Sequence, residues 1–265
     1  MLYTLPMMCR VTPIVSLLLM ALPAFAEPAD KPLPWPAHVA YQFTYLEMPI
    51  GKVALDIVQG EQLSIVGSIE VDGVAKLFSD HKNQLSLDVD GVTPNGHARI
   101  FDTRYSRTGK KERHIRLNYD AGGVLTDALH EGVHDMHRRG EITPEQHQAA
   151  YDPLSMMVVL REQIYQAIQN KTPNFTSYLY DGKRLHQLDI TIYGTRMHEW
   201  KGQEVMVQKI GLLRRLIAGQ TEKEIKKEAA YNLPEAVIYF TTEQRFLPIY
   251  AKQSWKVGAF KAVMQ

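Results

Sequence analysis

Short runs in which every second side chain is apolar, each closed by a turn signal, constrain this chain more than any other feature. Tyr41, Phe43 and Tyr45 form the first run, and Val53, Leu55 and Ile57 follow after Pro49-Ile50-Gly51. Leu63, Ile65 and Ile69 lead to Asp72-Gly73, and Leu85, Leu87 and Val89 lead to Asp90-Gly91. Successive side chains of an extended strand point to opposite faces, so each run has one face to bury and one to leave in water. His97 to Tyr105 and Arg113 to Tyr119 repeat the pattern on either side of Thr108-Gly109-Lys110. Six strands with turns at this spacing, between residues 41 and 119, predict a meandering antiparallel sheet.

Between Asp120 and Tyr151 the alternation stops and Gly, His and charge dominate, which reads as a surface excursion with at most one short helix. Asp152-Pro153 then opens a helix over about 153–169. Asp152 is the cap, Pro153 sits in the first turn, and Met156, Val159, Leu160, Ile164 and Ile168 make an apolar stripe. Strands resume at Thr176 to Tyr180, Arg184 to Tyr193 and Glu204 to Ile210. Residues 212–232 read as a charged excursion, with a second helix at about 221–231 behind the capping box Thr221-Glu222-Lys223-Glu224. Two last strands, Glu235 to Thr242 and Ile249 to Lys256, bring the chain to its end near Gly258 to Met264. The fold class is therefore mainly β: a strongly curved antiparallel sheet or half-open barrel with one packed α-helix.

The N-terminus reads as an export signal. Arg10 precedes an apolar run from Val11 to Leu22, and Ala24-Phe25-Ala26 offers the small residues that a signal peptidase requires, so cleavage is expected before Glu27. A spanning helix needs about 20 apolar residues, and this run is shorter and carries Thr12, Pro13 and Ser16. The processed chain is thus not expected to span a membrane. Cys9 leaves with the signal, so the mature chain has neither disulfide nor thiolate chemistry, which fits a bacterial periplasm better than extracellular space. Loss of Arg10 leaves 29 Lys+Arg against 29 Asp+Glu, a balance that argues against a nucleic-acid partner. Residues 27–37 hold four prolines and form a stiff leader, and 38–265 form a single β-rich domain with insertions at about 121–151 and 212–232.

Three constellations could carry chemistry. His130-Glu131-Gly132-Val133-His134 is a literal H-E-x-x-H, which on a helix places two histidines on one face for Zn²⁺, with His137 as a third candidate ligand. The run around it is polar on nearly all sides and ends in Arg138-Arg139-Gly140, so a solvated loop is the stronger reading. Arg104, Arg107, Lys110, Lys111 and Arg113 crowd one hairpin and are candidates for holding phosphate or carboxylate groups. The helix side chains Met156, Met157, Leu160 and Ile164, with Tyr41 and Phe43 of the sheet, are candidates for lining an apolar groove. There is no Gly-x-Ser-x-Gly, phosphate loop or dinucleotide fingerprint, and no cofactor is expected.

Tyr41-Gln-Phe-Thr-Tyr45 with Ile50-Gly51-Lys52, Tyr151-Asp-Pro-Leu-Ser155 leading to Leu160-Arg161, Tyr180-Asp-Gly-Lys-Arg184, and Phe246-Leu-Pro248 occur in a characteristic order. In that order they resemble an exported bacterial family catalogued as domain of unknown function 3108, over about Tyr41 to Met264. The resemblance implies a secreted or periplasmic location and a curved antiparallel sheet, and brings no reaction or catalytic residues with it. The function expected from the sequence is non-catalytic binding of a lipid or acylated envelope component between sheet and helix. The alternatives are a zinc hydrolase built on His130, Glu131 and His134, and an envelope protein scaffold.

Overall fold

The computed structural model describes residues 34–59, 63–71, 84–92, 98–106, 112–230, 234–243, 245–254 and 258–265. The strands are β1 (His38–Tyr45), β2 (Met48–Gln59), β3 (Leu63–Val71), β4 (Gln84–Val92), β5 (Ala98–Ser106), β6 (Arg113–Tyr119), β7 (Leu125–Glu131), β8 (Asn174–Tyr180), β9 (Leu185–Trp200), β10 (Gln203–Ala218), β11 (Ala236–Thr241), β12 (Pro248–Ser254) and β13 (Ala259–Met264). The helices are α1 (Pro144–Gln148), α2 (Pro153–Gln169) and α3 (Glu222–Ala230).

The described strands form one antiparallel sheet in the order β7-β6-β5-β4-β3-β2-β1-β13-β12-β11-β10-β9-β8. Sequence neighbours pair throughout, except that β1 pairs with β13 and the ladder is open between β7 and β8. Both helices of the excursion between β7 and β8 therefore lie at the break. No helix among the described residues is long and apolar enough to cross a membrane.

The helix at 153–169 forms as expected. Asp152 Oδ1 accepts from the Leu154 and Ser155 backbone N–H groups at 3.0 Å each, satisfying two donors that the first turn leaves open. Thr221 and Glu224 cap α3 reciprocally, as their spacing predicts. Three expectations need correction. β7 lies inside the segment read as a surface excursion. As an edge strand it turns only part of one face inward, so its pattern, Leu-Thr-Asp-Ala-Leu-His-Glu, does not alternate cleanly. β9 and β10 run far beyond their expected ends, and β10 reaches Ala218. Bulges at Lys209/Ile210 and Leu216/Ala218 shift the inward face there and hide the period of two. A further strand, β13, follows the two that were expected to end the chain and joins the halves of the sheet.

The helix α2 buries almost its whole circumference. Leu154 and Val158 pack with Val39, Leu55, Ile57, Ile65, Phe101 and Leu117 from β1 to β6. Met156, Leu160 and Ile164 pack with Leu188, Ile190, Ile210, Phe240 and Phe246 on the other wing. A helix that contacts both wings occupies the concave side of the sheet.

Arg161, 1% exposed, is the buried charge on this helix. Its Nε donates to the Phe246 carbonyl at 3.2 Å, and Nη2 donates to the carbonyls of Arg245 at 2.8 Å and Pro34 at 2.9 Å. The guanidinium also stacks 4.1 Å from the Trp35 ring. Burial draws its pKa down to about 10, against the opposing pull of Glu162 and Tyr41, so it stays charged at neutral pH. Tyr41 completes the clamp, its hydroxyl donating to the Pro248 carbonyl at 2.8 Å.

Replacing Arg161 by Met keeps most of the apolar stem and leaves three carbonyls, that of Phe246 buried, without their donor. A charge-assisted bond is worth about 1.5–3 kcal/mol, and relief from burying a charge offsets part of the loss, so we expect Arg161→Met to cost about 2–4 kcal/mol. Urea denaturation measures this, and an unchanged midpoint contradicts the clamp.

Candidate functional site

The residues expected to line an apolar groove are brought together, but as packing. Met156, Leu160 and Ile164 are 4%, 8% and 0% exposed and are closed over by Phe240 and Phe246, whose rings stack at 4.8 Å. Met157 and Tyr41 are half-buried against the other cluster, and Phe43 is half-buried on β1 opposite Gly51 and Ala262. The space between sheet and helix is thus occupied by the helix's own side chains.

The H-E-x-x-H segment is strand and turn, which corrects the helical geometry that its zinc reading requires. His130 and Glu131 end β7, Gly132 follows in a turn, and His137 falls in a single 3-10 turn, Met136–Arg138. His130 Nε2 contacts the Gly182 carbonyl. A carbonyl only accepts, so that nitrogen carries the proton and has no lone pair for a metal. Glu131 lies 3.3 Å from His114 Nδ1, and Arg138 Nε donates to His137 Nε2 at 3.2 Å. Among the described residues no three His, Asp or Glu side chains converge as metal ligands. In the basic hairpin, Arg104 is an exposed side chain 3.6 Å from Asp102, and Arg113 is exposed opposite Tyr105. Arg107, Lys110 and Lys111 lie outside the described residues.

Instead, His130 helps join the two free edges of the sheet through the turn between β8 and β9. Asp181 builds that turn, its Oδ1 accepting from the backbone N–H of Lys183 at 3.0 Å and of Arg184 at 2.8 Å. Its Oδ2 takes Arg184 Nη2 at 2.7 Å and Nε at 2.9 Å, with His186 Nε2 at 3.4 Å. Burial alone would raise the Asp181 carboxyl, but the His186 hydrogen bond and the Arg184 guanidinium hold it well below the usual carboxylate range. Gly182 has φ of 86°, and a Cβ there would come 2.6 Å from Ile115 Cγ2 of β6, so only glycine lets the opposite edges approach this closely. Tyr151 covers the free edge of β8, bonding to Tyr178 and Tyr180 through its backbone.

An open cleft of about 280 Å³ lies at β9 to β12, lined by His198, Lys209, Glu235, Val237, Tyr239, Tyr250, Lys252 and Ser254. Ile238 and Phe240 pack with the cluster around Met156 and Leu160, while Tyr239, on the alternate side of β11, packs half-buried with Tyr250 against the other cluster, beside Val207, Ile249 and Met264. Tyr239 and Tyr250 are register partners whose rings stack at 5.3 Å. The β9–β10 hairpin brings His198 over both, at 4.7 Å from Tyr239 and 4.9 Å from Tyr250. Trp200 anchors the tip of that hairpin, donating from Nε1 to the Met264 carbonyl at 3.1 Å. Burial and then the Arg196 charge lower the His198 pKa, with Glu199 opposing, so the ring is neutral at pH 7. Sequence reasoning missed this site because its residues are dispersed over four strands. The one local signal was aromatic and lysine residues at alternate positions of β11 and β12, which on their own read as solvated surface.

Thirteen strands, an open ladder and a helix within the curve define an incompletely closed, barrel-like β protein. The chain belongs to the family described as protein of unknown function (DUF3108), which it matches over residues 40–265. No curated protein matches it in sequence. Among solved structures it is similar to a beta-barrel-like protein of domain of unknown function DUF1849 from Brucella abortus. The identity is 7% and the TM-score 0.52, over 86% of this chain and 94% of that one, a likeness of fold alone. The lipoprotein LppX from Mycobacterium tuberculosis aligns over 86% of this chain and 85% of its own at 9% identity, but a TM-score of 0.25 supports no argument.

The depressed Asp181 carboxyl sets an acid limb of stability. A group whose folded pKa is lowered contributes above the unfolded value of roughly 4, and the contribution fades as pH falls through the folded value. We therefore expect Asp181→Asn to be less stable than wild type at neutral pH, with the gap in urea midpoint closing below about pH 4. A gap that stays constant into that acid range contradicts the assignment.

Proposed function

We propose that this chain is an exported, non-catalytic protein of the periplasm that binds an amphipathic component of the cell envelope at the cleft of His198, Tyr239 and Tyr250. The observation that carries the proposal is the cleft itself. Three aromatic rings form its floor, charged side chains form its rim, and it stays open where the space around the helix is filled. Aromatic surface takes up the apolar part of an amphiphile, while charged groups at the mouth fix its polar end. The seat between sheet and helix serves less well, since Met156, Leu160 and Ile164 already fill it.

Export rests on the order of Arg10, the apolar run and Ala24-Phe25-Ala26. The non-catalytic reading rests on how the one motif with catalytic spacing is built. His130 and Glu131 end a strand and are engaged with Gly182 and His114. A general base needs a reachable proton and a positioned partner, and neither residue is arranged that way.

Native mass spectrometry of the untagged protein, taken from its own periplasmic fraction, tests the proposal. The expected result is a chain beginning at Glu27 that carries an amphiphile, with the bound mass absent from a Tyr239→Ala, Tyr250→Ala variant. A ligand-free wild-type protein, or a variant that retains the bound mass, contradicts the proposal.

A further inference from the structure

Resting on the binding role above, we propose that the cleft selects an anionic ligand, one bearing a phosphate or carboxylate group that sits between Lys209 and Lys252 while its carrier lies on the Tyr239 and Tyr250 rings.

The argument starts from strand register. Lys252 of β12 stands directly opposite Lys261 of β13. Like charges directly opposite one another destabilise an antiparallel pair. Lys261 is neutralised by Glu47, which it contacts through Nζ. Lys252 is exposed and has no carboxylate partner among the described residues. One row further along the same face, Lys209 aligns with Tyr239, Tyr250 and Val263, and its Nζ lies 4.5 Å from the Tyr193 ring. The Arg196 guanidinium lies 5.6 Å from the Tyr239 ring. Three cations thus border one aromatic floor.

The acidic side of the cleft is held aside. Both oxygens of Glu235 lie within 3.0 Å of the Tyr193 hydroxyl. This pair rests over Gly211, where a Cβ would come 2.3 Å from Glu235 Oε1 and 2.7 Å from Tyr193 Cε2. Glycine there makes room for the carboxylate against the strand, and one carboxylate stands against three cations. A ring of His198, Tyr239 and Tyr250 without the cations would suit a quaternary ammonium group. With Arg196, Lys209 and Lys252 around it and Glu235 already engaged, the site attracts negative charge, and lysine ammonium groups serve as point-charge phosphate ligands. Ser254 adds a hydroxyl donor at the rim. The anion can be a lipid headgroup or a free phosphorylated solute, since both present the same group to the lysines.

The full mature chain is titrated calorimetrically with three probes: short-chain phosphatidylglycerol, glycerol phosphate, and short-chain diacylglycerol as the neutral control. Lys209→Gln and Lys252→Gln are compared with wild type, and thermal melting confirms that each is folded. We expect the anionic probes to bind, the neutral control to bind at least tenfold more weakly, and each lysine variant to lose about tenfold in affinity, the scale of one charge-assisted contact. Rising salt should weaken wild-type binding. Glycerol phosphate binding as tightly as the phosphatidylglycerol supports a free solute, and binding of the phosphatidylglycerol alone supports a headgroup. Equal binding of charged and neutral probes, unaffected by the lysine changes but removed by Tyr239→Ala, overturns the anion selectivity and leaves the amphiphile-binding role standing. No binding of any probe, together with a ligand-free native protein, overturns both.

Discussion

A guanidinium buried halfway along α2 organises much of what surrounds it. Arg161 donates to the carbonyl of Pro34 and to those of Arg245 and Phe246, two places far apart in the chain, and stacks on Trp35. A buried charge is costly unless its hydrogen bonds are made, so helix, leader and the segment before β12 have to meet at one place. With α2 held there, its apolar side chains close the concave side of the sheet from both wings. A sheet whose ladder is open between β7 and β8 needs such a fixture, because no strand pairing determines how far the wings stand apart. The turn at Asp181 and Gly182 adds a second tie across the break.

This arrangement decides where a ligand can be received. A curved sheet of this size suggests a lumen, but here the curve surrounds a packed helix and a core at interior density. The free concavity lies where the β9–β10 hairpin sets His198 above Tyr239 and Tyr250. Its electrostatics follow from register: pairing of β10, β11, β12 and β13 places Lys209, Lys252 and Lys261 on one face, and among the described residues only the last is balanced by a carboxylate. The anchor of that hairpin at Trp200 and the bulge at Lys209/Ile210 shape the cleft.

Much of the fold was legible in the sequence, for physical reasons that also mark where legibility stopped. β1 to β6 were readable because each buries one face and alternates accordingly, and α2 because Asp152, Pro153 and an apolar stripe agree. β7 was not, since an edge strand with His130 and Asp127 carries little apolar contrast. The far half of β10 was hidden by two bulges. The family landmarks turn out to be the anchors themselves: Tyr41, Arg161 and the Phe246-Leu247-Pro248 segment meet in one clamp, and Asp152 and Asp181 fold a helix start and a turn. The cleft was illegible because nothing local distinguishes a tyrosine that forms a floor from one that meets water. Only register and hairpin curvature bring Tyr239, Tyr250 and His198 together.

The central claim is that α2 fills the space inside the curve, so that the proposed ligand is received at the cleft of His198, Tyr239 and Tyr250 instead. Methyl NMR of protein labelled at Val, Leu, Ile and Met, titrated with a lipid extract of the envelope, tests it most directly. The account predicts shifts at Val237, beside Tyr239 in the cleft, and none at Met156, Leu160 or Ile164 inside the curve. Shifts at those three helix residues, with Val237 unmoved, would contradict it.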